Sequence, residues 1–275
     1  MSSLESAVSI LGCFSSDTPE LAVTEVAAKL AMPKSTVSRL MLAMAEQRLV
    51  EQDEATRRYR VGLLPFRLGQ LYYAHVKVVE LVEAEIEVLI NETGFTGYVG
   101  VLNGADIVIL RKRHGRYPVQ MILDAGSRMA AATTAFGKAL LARLPNEELG
   151  KILPPALVEG KSGARRPVAR LLTELDTVRA QHWAIGDTAF AGMCAIGAAV
   201  GSSDDQQAIG FSLSFPDIAV NAAGRKAIAD RVVDAARRVA VITADPFWAQ
   251  RPAQAPSPAS KGSTPRARTA RHRPT

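Results

Sequence analysis

The residues with the most legible chemistry lie in the stretch KSTVSRLMLAMAEQ, Lys34 to Gln47. Val37, Leu40, Met41 and Met44 recur at i, i+3, i+4 and i+7, the apolar stripe of a helix. At about 100° per residue, Ser35, Arg39 and Leu42 centre on the opposite face, with Thr36 and Ser38 on its flanks. A surface helix ordinarily shows long charged side chains there. This one shows small hydroxyls around a single arginine. Such residues let a backbone approach a partner closely and bond base edges or phosphates, and arginine reads guanine bidentately. Just downstream, Arg57, Arg58 and Arg60 supply guanidinium groups suited to phosphates, and Lys34 adds an ammonium.

The elements that must position these groups follow from the flanking sequence. Leu4, Ala7, Val8 and Leu11 predict a helix from Leu4 to Phe14. Thr24 is a candidate N-cap for a helix from Glu25 to Leu30. Ala31-Met32-Pro33 reads as the turn, with Pro33 in the first turn of the helix that runs to Gln47. Leu49–Gln52 and Arg58–Val61 predict a hairpin in which Tyr59 and Val61 pack while Arg58 and Arg60 face outward. Two short helices and a basic hairpin make a winged helix-turn-helix, whose second helix enters the DNA major groove.

Beyond it, Phe66 to Thr93 is nearly all helix formers, with a break expected at Gly69 and a C-cap at Gly94. The pattern then becomes mixed. Thr96–Leu102, Asp106–Lys112, Pro118–Leu123, Ala195–Val200 and Ala208–Ser214 predict strands, the first two joined at Asn103-Gly104. Asp124–Ala132 reads as a loop, and Thr133–Leu144, Glu147–Ile152, Val168–Gln181 and Ala222–Thr243 as helices. Separated runs of strands and helices predict an α+β sheet domain. On the late strand, Ser212 and Ser214 share one face while Phe211, Leu213 and Phe215 fill the other. Backbone N–H groups near Thr133 and Thr134, at a helix start, are candidates to hold a carboxylate. The basic run Arg111-Lys112-Arg113-His114, with Arg116, reads as a solvated edge or a subunit contact rather than part of a pocket.

Composition narrows the class. The chain has 275 residues, 48% of them hydrophobic and 22% charged, the profile of a soluble globular protein with room for two cores. No apolar run approaches the roughly 20 residues of a membrane span, and the start lacks the basic and apolar regions of a signal peptide, so a cytoplasmic location is expected. The net charge of +6 resides in the tail: from Arg251 onward there are six basic residues and no acid, which leaves 27 basic against 27 acidic before it. That Pro/Ala/Ser/Thr/Arg tail predicts disorder. Cys13 and Cys194 read as reduced packing residues, and the four histidines show no metal-ligand spacing, so neither a metal nor another cofactor is expected.

Ser3-Leu4-Glu5-Ser6-Ala7, Met32 to Leu40, Tyr59-Arg60-Val61-Gly62, Gly126-Ser127-Arg128 followed by Thr134 to Ala142, and Gly210 to Ser214 occur here in a specific order and spacing. With these segments the chain resembles the IclR family of bacterial transcriptional regulators to about residue 247. The resemblance implies a winged helix-turn-helix over residues 1–64, a linker helix over 65–77, and a GAF-like effector-binding and oligomerisation domain over 78–247, leaving residues 248–275 as the tail. It implies homodimers or homotetramers on operator DNA and a small organic acid as effector. Carried over by position, effector contacts fall on Thr134, Ala135, Phe136, Asp187, Ala195, Ser212 and Ser214. This chain departs from the family's usual residues in having Ala132 in place of a common His, Ala195 in place of a common Cys, a bulky Phe136 and a less acidic Asp187–Gly192 loop. These departures imply a more apolar pocket, suited to an aromatic or aliphatic acid.

The expected function is a ligand-responsive transcriptional regulator. Two rivals remain at this point: an enzyme acting on a small acid, which lacks paired carboxylates, a Ser/His/Asp arrangement or a phosphate loop, and an architectural DNA protein with a vestigial sensor.

Overall fold

The computed structural model describes residues 2–15, 17–74, 77–117, 123–159, 164–186, 191–203 and 207–249. The N-terminal unit begins with α1 (Ser3–Leu11), where the Ser2 hydroxyl accepts from the Glu5 N–H at 3.2 Å and the Glu5 carboxylate accepts from the Ser2 N–H at 2.7 Å. It ends at Gly12, short of the predicted Phe14. A two-residue strand absent from the prediction, β1 (Glu20–Leu21), precedes α2 (Val23–Leu30). That helix is not capped by Thr24: the Glu25 carboxylate takes the Ala22 N–H at 2.8 Å, so the chain turns helical two residues sooner. Ala31, in the left-handed region at φ 51°, makes the turn into α3 (Lys34–Glu46), which Pro33 immediately precedes. β2 (Val50–Gln52) and β3 (Tyr59–Val61) form the wing, and β1 pairs with the outer edge of β3, giving the order β1-β3-β2. Ile10, Val26, Val37, Met41, Val50 and Tyr59 close the core. Val61, expected to pack, is 45% exposed, because β1 starts opposite Arg60 and nothing in it reaches Val61.

α4 (Leu63–Ala74) runs through Gly69 without the expected break, in open space that asks for no kink. α5 (Lys77–Thr93) buries Val78, Val82, Ile86 and Leu89 and ends at Gly94, whose φ of +74° suits only glycine and whose N–H bonds the Ile90 carbonyl at 2.7 Å.

The remaining elements build a sheet between helical layers. They are β4 (Thr96–Asn103), β5 (Asp106–Arg113), β6 (Arg128–Ala130), a helical turn at Ala131–Thr133, α6 (Ala135–Leu141), α7 (Asn146–Ile152), β7 (Ala156–Glu159) and β8 (Ala164–Pro167). Then come α8 (Val168–Gln181), β9 (Ala184–Gly186), β10 (Met193–Val200), β11 (Ile209–Pro216), α9 (Ala222–Thr243) and α10 (Pro246–Ala249). Six strands pair antiparallel in the order β6-β5-β4-β11-β10-β9, and β7 pairs with β8 separately. Alternation sorts the side chains. Val99, Val101, Ile196, Phe211, Leu213 and Phe215 face α5 and α9, whereas Tyr98, Ile107, Ile109 and Ala199 join the core with α6 and α8. The whole is α+β, a winged helix-turn-helix followed by a sheet domain with helices on both faces.

β6 lies in the segment expected to be a loop, and β7, β8 and β9 were not predicted; each is only three or four residues long and is defined by its pairing with another strand. The predicted helix from Thr133 starts at Ala135 because the Thr134 hydroxyl accepts from the Gly137 N–H at 3.2 Å and acts as N-cap. The predicted strand Pro118–Leu123 and the tail fall outside the described residues except for Leu123 and the last residues to 249. Among the described residues no helix is long and apolar enough to cross a membrane, and no cluster of His, Cys, Asp and Glu is placed to hold a metal.

Candidate functional site

Two sites emerge, one on the N-terminal unit and one under the sheet. On α3, Val37, Met41 and Met44 point inward, while Lys34, Ser35 and Arg39 are exposed and Thr36 and Ser38 half-buried on the flanks. The wing beside it is closed by Asp53, whose Oδ1 accepts from the Ala55 N–H, the Thr56 N–H and the Thr56 hydroxyl at 3.0, 2.7 and 2.9 Å. These bonds, the Thr56 N–H foremost, hold its carboxyl below the usual carboxylate range. Arg57 follows at φ 57° and is exposed. Arg60 is exposed and rests on Glu51 at 3.3 Å, a solvated pair that a phosphate could replace at little cost. Arg58, expected to face outward, is turned inward. Its Nη2 donates to the Glu25 carboxylate at 2.7 Å and to the Glu20 carbonyl at 3.0 Å, bracing the wing against α2 and β1.

The second site is a small cavity between α6 and the sheet. Thr134, Ala135, Phe136, Ala195, Ser212 and Ser214 line it together with Tyr98, Ile107, Ile109, Leu123 and Met129. Six of the seven expected effector residues thus meet in one cavity, and Asp187 lies outside the described residues. Strand alternation brings Ser212 and Ser214 to its wall, both almost fully buried. Phe136 lies over a glycine pair: a Cβ on Gly210 would come within 2.5 Å of its ring and one on Gly100 within 3.0 Å. Its bulk therefore forms one end of the cavity without strain.

At the expected carboxylate cradle, two of the N–H groups at the helix start are already engaged. The Thr134 N–H is bonded to the Ala131 carbonyl at 3.2 Å, and the Gly137 N–H to the Thr134 hydroxyl. The polar groups that stand unused are side chains of β4. Among the described residues, Tyr98 Oη and Thr96 Oγ1 are buried with no hydrogen-bond partner. Burial, and then the charge of Asp124, push the Tyr98 phenol up to about 12. Sequence reading passed over Tyr98, Ile107 and Ile109, although alternation along β4 and β5 carries their facing.

Lys112 also departs from the solvated-edge expectation. A β-bulge where β4 passes from Val99 to Gly100 shifts the register of β5, so Lys112 sits opposite Tyr98 on the pocket's face and pairs with Asp124 at 3.3 Å. Arg111 goes to the other face, to Glu83 of α5 at 2.8 Å. Behind the pocket, Glu174 receives buried Lys138 at 3.2 Å and Arg166 at 2.7 Å, and Arg166 reaches the Ala132 carbonyl at 3.3 Å. Burial pushes the Glu174 carboxyl up, but these two cations outweigh it and leave it below the usual range. The network fixes the turn that leads into α6.

Residues 3–54 match the IclR helix-turn-helix domain, and residues 70–241, more than half of the chain, match the family described as bacterial transcriptional regulator IclR, C-terminal. The chain belongs to the IclR family. Among its relatives, the regulator BhcR of Paracoccus denitrificans is 29% identical over 80% of this chain and 79% of its own length. KdgR of Escherichia coli is 30% identical over 60% of this chain and 63% of its own. The same fold occurs in a putative IclR regulator from Silicibacter sp. TM1040, with a TM-score of 0.74 at 22% identity over 88% of this chain and 96% of that one. It occurs also in an IclR homolog from Microbacterium hydrocarbonoxydans complexed with 4-hydroxybenzoate, with a TM-score of 0.71 at 18% identity over 86% and 97% of the two chains. This IclR-family chain is a DNA-binding transcriptional regulator.

Proposed function

We propose that this regulator reads operator DNA with α3 and the wing and senses a compact aromatic or aliphatic acid in the cavity under its sheet. Ser35, Thr36, Ser38 and Arg39 contact base edges, while Lys34, Arg57 and Arg60 meet phosphates. Arg58 keeps the wing in place for them. The N-terminal reading unit is taken as residues 1–64, the linker as 65–77 and the sensing domain as 78–247. Two copies of the chain, alone or within a tetramer, engage a pseudo-palindrome whose half-site spacing the assembly sets. The effector acts by binding one arrangement of the two reading heads more tightly than another.

The observation that carries the sensor is the cavity itself, with buried hydroxyls set among apolar walls. Its described lining holds no carboxylate, histidine or cysteine, which supports binding without turnover. The complex of the Microbacterium homolog with 4-hydroxybenzoate supports an aromatic acid in the same fold. Gel shift of the full chain on DNA upstream of its own coding region tests the reading head. Arg39→Ala should weaken specific binding roughly 10- to 100-fold, the worth of a bidentate base contact, and leave non-specific binding close to unchanged. Specific binding retained by that variant would refute the assignment.

A further inference from the structure

The sheet face behind the pocket carries a grid of four hydroxyls built by register, and three of them, on Tyr98, Ser212 and Ser214, belong to residues that line the pocket. On adjacent antiparallel strands Ser212 lies opposite Tyr98 and Ser214 opposite Thr96, and alternation along each strand puts all four on one face. Tyr98 is 2% exposed and Thr96 fully buried, and the hydroxyls of both lack a partner among the described residues. A buried hydroxyl without a partner is unfavourable in the empty protein. Here two such groups lie on the sheet face behind the cavity, Tyr98 as a lining residue and Thr96 two positions along the same strand, and one row of the grid continues from Ser212 through Tyr98 to Lys112, whose ammonium is held by Asp124.

Resting on the reading of this cavity as the effector site, we propose that Tyr98 binds the effector and determines its class. The phenol donates a hydrogen bond to the effector's carboxylate, and Thr96, Ser212 and Ser214 meet the remaining lone pairs. The rest of the effector lies against Ile109 and Phe136. A carboxylate fits because its two charged oxygens can take several hydroxyl donors at once, whereas an amide has one such oxygen and no charge. The phenol stays protonated throughout the neutral range, so it serves as a fixed donor. The anion is thus held by neutral hydroxyls, with the nearest cation already paired.

The test uses the full chain and calorimetric titration with benzoate, 4-hydroxybenzoate and 3-methylbutanoate, each beside its amide. Wild type should bind at least one acid and prefer it to the amide. Tyr98→Phe should weaken that acid by roughly tenfold or more and collapse the acid-to-amide ratio, with the unfolding temperature not lowered. Thr96→Val should act in the same direction. An unchanged acid affinity in Tyr98→Phe overturns the role of Tyr98 while the effector reading stands. Equal losses for acid and amide reduce Tyr98 to packing and overturn it as well. Failure of wild type to bind any acid of the panel overturns the effector reading and this inference together.

Discussion

Replacing Tyr98 by Phe should make the ligand-free protein more stable, the reverse of the usual effect of removing a working hydrogen bond. The ring packs in the cluster with Ile107, Ile109 and Phe136, and the substitution keeps those contacts. It removes only an oxygen buried without a partner among the described residues. Leaving such a group unsatisfied costs about 1–3 kcal/mol, and the void left by one oxygen returns only a small part of this. A gain of about 1–2 kcal/mol is expected, which for a domain of this size corresponds to roughly 2–4 °C in Tm per kcal/mol. Urea unfolding followed by circular dichroism, with calorimetric melts on protein dialysed free of small acids, measures it. Thr96→Val should shift stability in the same direction. A loss of 1 kcal/mol or more in Tyr98→Phe would mean that the hydroxyl has a partner in the empty protein and would refute the reasoning. The expected pair of effects, greater stability with weaker effector binding, marks a residue kept for function.

The inward turn of Arg58 separates it from its neighbours in the wing. Arg60→Ala or Arg57→Ala should reduce the slope of log affinity against log salt by about one, as expected when a phosphate contact is lost. Arg58→Ala should lower affinity while leaving that slope intact, because its guanidinium holds Glu25 and Glu20. At the other end of the chain, Asp245 accepts both Nη atoms of Arg143 at 2.8 Å, the Gly201 N–H at 2.6 Å and the Phe247 N–H at 3.0 Å. Burial pushes its carboxyl up, and Arg143 and the two N–H groups outweigh that push, so the folded value lies below the ordinary one. A depressed carboxyl stabilises the fold above its unfolded value near 3.9 and loses that contribution as pH falls through the folded value. Asp245→Asn should therefore cost about 3 kcal/mol at pH 7, and in urea melts the gap to wild type should narrow as pH falls below about 4.

Much of the molecule was legible because its signals are local. The limits of α8 and α9 follow from their apolar period, and the α3 stripe is continuous in the chain. Gly94 and the Asn103-Gly104 turn carry their conformations in their residue types. The features that escaped depend on pairing partners rather than on their own residues. β1 and β6 to β9 exist because another strand offers hydrogen bonds, not because their own residues demand extension. The bulge beside Gly100 reverses the facing of Lys112 and leaves no mark in the local pattern. Phe136 is visibly large, but the glycine pair that receives it comes together only through the register of β4 and β11. The loneliness of the Tyr98 hydroxyl is likewise a property of its surroundings. The late strand's share of the pocket's polar face, Ser212 and Ser214, was legible, whereas the share of β4 was not.

The most direct measurement is fluorescence anisotropy of the full-length protein on labelled DNA from upstream of its coding region, at fixed salt, with and without the acid that binds most tightly by calorimetry. A coupling of at least 1 kcal/mol, or about a fivefold change in operator affinity, is expected, and it should vanish in Tyr98→Phe at the same acid concentration. An operator affinity that stays constant while the acid occupies its site would contradict ligand-responsive regulation.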